Sequence, residues 1–283
     1  MCLSLLGANI LGISKGYSTN PSHFKDLNIN SSIKHRKLDI TNLNKLKKIF
    51  IKYQPDYVFH LAAQAIVSKS YDDPIATFNV NTIGTLNVLE CLRNVKKCKA
   101  VIITSDKSYK NLEIDRGYFE TDILGGDDPY SGSKGAAELI INSYIKSFFK
   151  DKKVNLAIAR AGNVIGGGDW SKDRIIPDCF KSWHKNKRIN IRNPKSTRPW
   201  QHVLALVHGY LILMGGLISL EPKKYVGTWN FGPKIGETKT VNEVTKEIIS
   251  VWGSGEIIID RNQQFNESCL LQLDCTKAKK LLG

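Results

Sequence analysis

The chain has 283 residues, 42% of them hydrophobic, which is enough to bury one large core or two smaller ones. Its net charge is +15, but the basic residues are spread along the chain, so we interpret them as solvated helix faces. A nucleic-acid binder is the least favoured alternative because no recognised motif accompanies the charge. No apolar run approaches the ~20 residues of a membrane span, and the N-terminus has no basic region typical of a secretory signal.

The cysteines lie far apart and form no C-x-x-C pair. In a chain of this size they are typical of buried, reduced thiols, not of a disulfide framework or a zinc site. We therefore expect a cytoplasmic protein without a metal. The six are Cys2, Cys91, Cys98, Cys179, Cys269 and Cys275.

Apolar and amphipathic segments alternate over the first 165 residues. Apolar runs predict strands over residues 9–14, 56–61, 100–104 and 154–159, and a short strand ending near residue 40. Helical periodicity predicts helices from Thr41 or Asn42 to Tyr53, from residue 74 to 95, and from Pro129 to about residue 149. This alternation predicts an α/β fold with a doubly wound parallel sheet.

Beyond residue 165 the predicted elements become shorter. They cover residues 175–184, 189–192, 202–217 and 241–252. We interpret residues 166–283 as a smaller lobe that closes over the crevice of the sheet domain, with some segments returning to the sheet.

Polar residues follow two predicted strands, at the sheet edge where open α/β proteins bind ligands. Tyr130 and Lys134 are four residues apart and share a helix face, where an ammonium would favour the phenolate and make the tyrosine a base. Ser105 follows the strand adjacent to that helix, and Asn163 follows the next strand. A hydroxyl, a phenol and an ammonium around one carbon suit hydride transfer between an alcohol and a ketone.

Each of these residues also has a purely structural interpretation. With ten tyrosines in a lysine-rich chain, one Y-x-x-x-K pair is expected by chance. Ser105 could bond a loop at a strand end, Asp106 could cap a turn, and Lys107 could be solvated.

Longer motifs make a resemblance specific. The chain is similar to the extended short-chain dehydrogenase/reductases, and within them it resembles the nucleotide-sugar 4,6-dehydratases of the CDP-glucose branch. YSGSK is of a type shared across the superfamily, whereas GGDDPYSGSK, GNVIGGGDW and RPWQHV are much narrower. The matching stretches are HLAAQAIVSKSY (60–71), NVNTIGTLNVLE (79–90), TSDKSY (104–109), ETDILGGDDPYSGSKGAAEL (120–139), RAGNVIGGGDW (160–170), RIIPD (174–178), IRNP (191–194), RPWQHV (198–203) and WNFGP (229–233).

The resemblance implies a dehydration in one site with bound NAD. Tyr130, helped by Lys134 and Ser105, would take the proton of the sugar 4-hydroxyl as hydride passes to NAD. The 4-keto group acidifies C5, water leaves from C6 with Asp106 as general acid, and the hydride returns to C6. Most relatives place a glutamate after that aspartate as the C5 base. Here Lys107 stands there, and a base or a positioning or enolate-stabilising role are both open.

The resemblance also implies binding residues and partners. Guanidinium groups suit the diphosphate of a nucleotide sugar such as CDP-glucose, although each arginine could instead form a surface salt bridge. A homodimer built on long helices is expected, without nucleic acid or membrane. The NAD-binding residues would be Ser14, Asp39, Ile40, Ala62, Ala63, Gln64, Tyr130 and Lys134, and the substrate-binding residues Asn163, Arg192 and Arg198.

The family begins with a strand and a Gly-x-x-Gly-x-x-Gly turn that cradles the pyrophosphate, and this sequence has neither. We therefore interpret residues 1–165 as an incomplete NAD-binding Rossmann domain whose sheet is divided, with residues 1–6 as the tail of a helix. The C-terminus also stops before the family's closing segment. Two alternatives follow: a truncated, inactive protein that binds nucleotide sugars, or a related GDP-mannose or dTDP-glucose dehydratase or 4-epimerase.

Overall fold

The computed structural model describes residues 2–150, 154–234, 236–259 and 270–283. Cys269 lies outside these residues, and the five described cysteines are free thiols, four of them buried. Within the same residues, the helices are all too short or too polar to cross a membrane, and the His, Cys, Asp and Glu side chains form no group suited to hold a metal ion.

Helices and strands alternate along the chain. The helices are α1 (Cys2–Leu5), α2 (His23–Asp26), α3 (Leu43–Tyr53), α4 (Val67–Asp72), α5 (Pro74–Phe78), α6 (Gly84–Leu92), α7 (Pro129–Tyr144), α8 (Ile175–Trp183), α9 (Val203–Ile218), α10 (Val241–Trp252) and α11 (Thr276–Leu282). The strands are β1 (Leu11–Ser14), β2 (Lys34–Lys37), β3 (Tyr57–His60), β4 (Cys98–Ile103), β5 (Val154–Ala161), β6 (Val164–Ile165), β7 (Ile189–Ile191), β8 (Thr197–Arg198), β9 (Gln201–His202), β10 (Gly227–Phe231), β11 (Lys239–Thr240) and β12 (Ile257–Ile259).

The main sheet is parallel and has the strand order β10-β5-β4-β3. Strands β1 and β2 form a separate parallel pair, as the divided sheet predicted from the sequence requires. Three further two-stranded sheets, β6–β9, β7–β12 and β8–β11, lie in the second half of the chain. Strand β10 lies beyond residue 165 and pairs with β5 in parallel.

Two apolar clusters cover the two faces of the main sheet. One packs α3, α6 and α7 against it and contains Leu89 and Leu156, both almost fully buried. The other packs α9 and α11 against it, with Leu213 and Trp229 fully buried. Helices on both faces explain why residues 100–103 of β4 and 156–159 of β5 are continuously apolar rather than alternating.

Local sequence signals account for the helix boundaries. Asn42 caps α3 by accepting from the Lys45 amide at 3.0 Å, and Asp128 caps α7 by accepting from the Ser131 amide at 3.0 Å, with Pro129 in the first turn. The long helix predicted over residues 74–95 is instead α5 and α6 joined by a wider π-helical turn over residues 79–83. The spacing of apolar residues in the sequence does not distinguish such a π-helical turn from a continuous α-helix.

The sequence predicts β3 to be a buried strand, but the structure leaves part of it exposed. Its first residue, Tyr57, is 54% exposed. The reason is that β3 is the edge of the four-stranded sheet, with β1 and β2 held in a separate pair.

Leu156→Ala is expected to lower the free energy of unfolding by about 2–5 kcal/mol, because it leaves a cavity in the core beneath β5. Leu204→Ala removes the same atoms from a side chain that is 61% exposed and should change stability by less than about 0.5 kcal/mol. Urea unfolding of both variants checks this. Equal losses would show that the two leucines do not differ in burial in solution.

Candidate active site

A short turn after β4 carries the first group of predicted site residues. It is a single 3-10 turn over Asp106–Ser108, which the Ser105 hydroxyl caps by accepting from the Lys107 amide at 3.2 Å. Helix α7 approaches this turn closely at Gly135, where a Cβ would lie 3.3 Å from the Ser108 carbonyl oxygen. The absent side chain therefore lets α7 bring Tyr130 next to Ser105.

Ser105, Asp106 and Tyr130 form one buried cluster. The Ser105 hydroxyl donates to Asp106 Oδ1 at 2.9 Å. Burial raises the pKa of Tyr130 to about 12, although the neighbouring Ser105 hydroxyl and the charge of Arg174 oppose this rise. Tyr130 is therefore a neutral phenol at pH 7.

Asp106 is a buried acid with one unsatisfied oxygen. Its side chain is 4% exposed, and Oδ2 has no hydrogen-bond partner among the described residues. Burial raises the pKa of this carboxyl above its ordinary value, against the opposing charge of Lys107 and the hydrogen bond from Ser105. A carboxyl held this way favours its protonated form, as a general acid requires.

Lys134 is the most buried cation of the predicted set, with 6% of its surface exposed. Burial lowers its pKa to about 8, and the negative charge of Glu138 opposes that shift. The main groups that shift the pKa of Tyr130 are Ser105, Asp106, Arg174 and Asp128, so the expected pairing of Lys134 with the phenol is not the dominant charge contact there.

The Lys134 ammonium acts instead on His60, at the end of β3. The pKa of His60 falls to about 3, first through burial and then through the Lys134 charge. The Thr85 hydroxyl donates to the Asn81 carbonyl oxygen at 2.7 Å, so it accepts from His60 Nε2 at 3.0 Å. His60 is therefore a neutral structural residue, protonated on Nε2.

The predicted NAD-side residues after β3 lie in one ordered loop. The Gln64 amide donates to Asn81 Oδ1 at 2.8 Å, and its side chain donates to Thr77 Oγ1 at 3.0 Å. These bonds fix the loop against the helical segment over residues 74–92. Ala62 is exposed and Ala63 half-buried beside it, so both backbones are accessible.

The other predicted NAD-side residues form a second group at the ends of β1 and β2. Ser14 Oγ lies 2.8 Å from His35 Nε2. The Asp39 carboxylate accepts from the Thr41 amide at 3.0 Å and pairs with Lys15 at 3.0 Å. Ile40 is buried, and a Cβ at Gly84 would come within 2.5 Å of its Cδ1.

The predicted substrate-side residues lie in different places. Arg198 is buried and its charge lowers the pKa of Asp106, so it belongs to the Ser105–Tyr130 cluster. The Asn163 carbonyl accepts from the Gln201 amide at 2.9 Å, which holds the chain after β5 beside the chain after Arg198. Arg192 is half-buried and directly follows β7, which belongs to a separate two-stranded sheet with β12.

Three residues of the site escaped the sequence interpretation. Arg174 donates to the Ala65 carbonyl at 3.3 Å, and its Nε is buried without a hydrogen-bond partner among the described residues. Glu138 and Arg160 form a buried ion pair beneath the Ser105 turn. All three lie in the motifs that carry the resemblance, and Glu138 continues the four-residue spacing of Tyr130 and Lys134.

Asp106→Asn is expected to raise the free energy of unfolding at pH 7. Because burial raises the pKa of Asp106 above the ordinary value of 3.8, the unfolded chain ionises more readily and stability is lost as the pH rises through that range. The variant should gain about 1–3 kcal/mol at pH 7 and nothing below about pH 3. Urea unfolding at both pH values measures this.

Asp122→Asn is the control with the opposite sign. The hydrogen bond from Arg116 lowers the pKa of Asp122 below 3.8, so this carboxylate stabilises the fold above that value and the variant should lose stability at pH 7. A gain of stability in both variants, or in neither, would contradict the burial of a protonation-prone Asp106.

Comparison with known proteins places this geometry in a family. The family model described as GDP-mannose 4,6 dehydratase matches residues 5–283. A CDP-glucose 4,6-dehydratase of Salmonella typhimurium is 42% identical over 99% of this chain and 80% of its own length. A dTDP-D-glucose 4,6-dehydratase of Dictyostelium discoideum is 31% identical over 67% of this chain and 44% of its own length.

Solved structures agree with the fold. A UDP-glucose 4-epimerase of Thermotoga maritima, solved with UDP-glucose, has a TM-score of 0.84 at 22% identity over 99% of this chain and 86% of that chain. A dTDP-glucose 4,6-dehydratase of Streptomyces venezuelae, solved with NAD, has a TM-score of 0.83 at 18% identity over 100% and 86%. At these identities the likeness shows the fold alone, whereas the family match extends over nearly the whole sequence, and the chain belongs to the GDP-mannose 4,6 dehydratase family.

Proposed function

We propose that this chain is an NAD-dependent CDP-glucose 4,6-dehydratase, which forms CDP-4-keto-6-deoxyglucose with loss of water. The observation that carries the proposal is the buried cluster of Ser105, Asp106 and Tyr130, in which an acid on the turn after β4 lies near a potential base on α7. The choice of CDP-glucose follows the Salmonella relative. We also infer a cytoplasmic location, since the described thiols are free.

The residues present fit NAD on two observations. Lys134 is a buried ammonium that hydrogen-bonds to none of the described residues, and its donors suit the hydroxyls of a ribose. The backbone of Ala62 and Ala63 is accessible in a loop that Gln64 holds in place. We propose that these residues hold the nicotinamide end of NAD, with Ser14, Asp39 and Ile40 toward adenosine, as the family resemblance implies.

The chain's own residues then move the protons. When bound, NAD would supply a reversible hydride acceptor for the C4 and C6 positions of the sugar. Tyr130 takes the proton from the 4-hydroxyl as the C4 carbonyl forms. The C5 proton passes to solvent, and Asp106 gives its proton to the C6 hydroxyl, which leaves as water. C5 takes a proton back from solvent when C6 receives the hydride. Tyr130 passes the proton of the 4-hydroxyl through Ser105 to the Asp106 carboxylate, which restores both groups.

The Tyr130 phenol requires help to act as a base. Bringing a pKa of about 12 close to 7 corresponds to about 7 kcal/mol of preferential stabilisation of the phenolate. Ser105 supplies a hydrogen bond and Arg174 a positive charge. We propose that Lys134 adds a second positive charge when the substrate hydroxyl and the ribose bring the two groups together.

Lys107 occupies the position of the C5 base of most relatives. Its ammonium acts as a cation on Asp106, and a cation beside C5 would stabilise the enolate that forms when the C5 proton leaves. We therefore propose charge stabilisation as the role of Lys107. Arg198 is the proposed contact for the diphosphate, with Asn163 and Arg192 also on the nucleotide side.

Mass spectrometry of the purified chain with CDP-glucose and NAD tests the function. We expect a product that has lost one water, and a loss of at least about 1,000-fold in kcat for Tyr130→Phe. Asp106→Asn should still oxidise C4 but release water slowly, so trapping with borodeuteride should label C4 of an undehydrated sugar.

The same reaction with dTDP-glucose and GDP-mannose identifies a sister dehydratase. A C4 epimer without loss of water would identify an epimerase. Binding of CDP-glucose without any binding of NAD in a titration would show the inactive alternative and overturn the proposal.

We also propose a homodimer through the helices of the sheet domain. Ile83 and Leu139 lie just before α6 and on α7 and are 43% and 62% exposed, and a second copy of the chain would bury both side chains. Leu139→Arg should therefore shift sedimentation from dimer to monomer. Leu204→Arg, at the start of α9, is the matched control, and a monomeric wild type would contradict the proposal.

A further inference from the structure

A buried carboxylate joins three separate parts of the site. Glu138 and Arg160 are 0% and 1% exposed. Glu138 Oε1 accepts from the hydroxyls of Thr104 and Ser108, each at 2.7 Å. Arg160 Nε donates to Glu138 Oε1 at 2.8 Å, and its terminal nitrogen pairs with Oε2. The carboxylate on α7 thus holds the end of β4, the turn after it, and β5.

The two hydroxyl bonds fix both ends of the turn that carries the proposed acid. Thr104 immediately precedes Ser105. Ser108 ends the turn, and its one hydroxyl proton is shared between Glu138 Oε1 and the Ser105 carbonyl oxygen, which lies 2.6 Å from Ser108 Oγ. Ser105 and Asp106 therefore cannot move relative to Glu138 without breaking these bonds. Because Tyr130 and Glu138 belong to the same helix, the distance between the base and the acid is set through Glu138.

The charge of Glu138 also acts on Lys134, which lies on the same face of α7. It lies one helical turn beyond Lys134 and favours the protonated ammonium, which burial disfavours. In the part of the chain that the structure describes, the charge of Lys134 acts on His60 of β3, and the charge of Glu138 on α7 acts on Lys134. Arg160 on β5 pairs with Glu138 from the other side.

We propose that Glu138 is a positioning residue, which holds the Ser105–Asp106 turn against α7 and keeps Lys134 charged. It touches neither substrate nor cofactor and acts through these residues. This inference rests on the proposed function for its kinetic consequences, but the fixing of the turn is independent of the substrate.

Two sets of variants separate position from charge. Thr104→Val with Ser108→Ala removes the links to the turn and leaves the ion pair intact. We expect kcat to fall on the order of 100-fold, an unchanged KM for CDP-glucose, and an unchanged alkaline limb of the pH profile.

Glu138→Gln also removes the charge, and its alkaline limb should move about one unit to lower pH, since Lys134 then loses its proton at lower pH. Glu138→Asp keeps the negative charge, but its shorter side chain no longer reaches the turn. We therefore expect a lower kcat and an alkaline limb of the pH profile at the same pH as in the wild type.

Glu90→Gln is the matched control. Glu90 also accepts from a tyrosine hydroxyl and an arginine, Tyr144 and Arg93, but it does so between α6 and the end of α7. It should leave kcat, KM and the pH profile unchanged. A folded Glu138→Gln that matches it in all three would overturn the proposal.

Hydrogen exchange keeps the inference testable without turnover. The amides of residues 104–109 should exchange at least about tenfold faster in the Thr104→Val, Ser108→Ala protein than in wild type or Glu90→Gln. If the wild-type protein turns over no nucleotide sugar, that result contradicts the proposed function but not the positioning role of Glu138. The exchange rates then decide this inference, and unchanged protection of the turn would overturn it even in an active enzyme.

Discussion

The carboxyl edge of the main sheet is organised by the buried ion pair between Glu138 and Arg160. Burying two charges is costly unless their hydrogen bonds are satisfied, and here Thr104, Ser108 and the Glu120 carbonyl satisfy them. Removing one partner of such a pair typically costs about 3–5 kcal/mol because the other charge stays buried. The fold can therefore hold three chain segments at fixed distances where the sheet itself has ended.

Burial gives the site its chemistry and also destabilises it. The same exclusion of water raises the pKa of Asp106, raises that of Tyr130 to about 12 and lowers that of Lys134 to about 8. Each shift means that the folded state disfavours a charged form that water would accept. The apolar clusters on both faces of the sheet supply the free energy that offsets this cost.

The sequence predicted most of the fold because its signals are local. Periodicity, Asn42 and Pro129 located α3 and α7, and strand ends located Ser105 and Asn163. The contact between Ser105 and Tyr130 followed from topology. The sequence did not predict the place of Arg174 in the site, because this residue comes from the second half of the chain and contacts Ala65 only in the folded protein. Glu138 resembles a surface helix residue by composition, and its burial depends on Arg160 from another strand.

The turn from Ser105 to Lys107 separates dehydration from simple epimerisation. An epimerase needs a base at C4 and a reversible hydride transfer, for which Tyr130 is the proposed base and NAD the cofactor. Loss of the C6 hydroxyl needs a proton donor in addition. Asp106 is the proposed donor because burial raises the pKa of its carboxyl, Oδ2 has no hydrogen-bond partner among the described residues, and Ser105 bonds to its other oxygen. The charge of Lys107 opposes the rise in that pKa, which would favour release of the proton to the sugar.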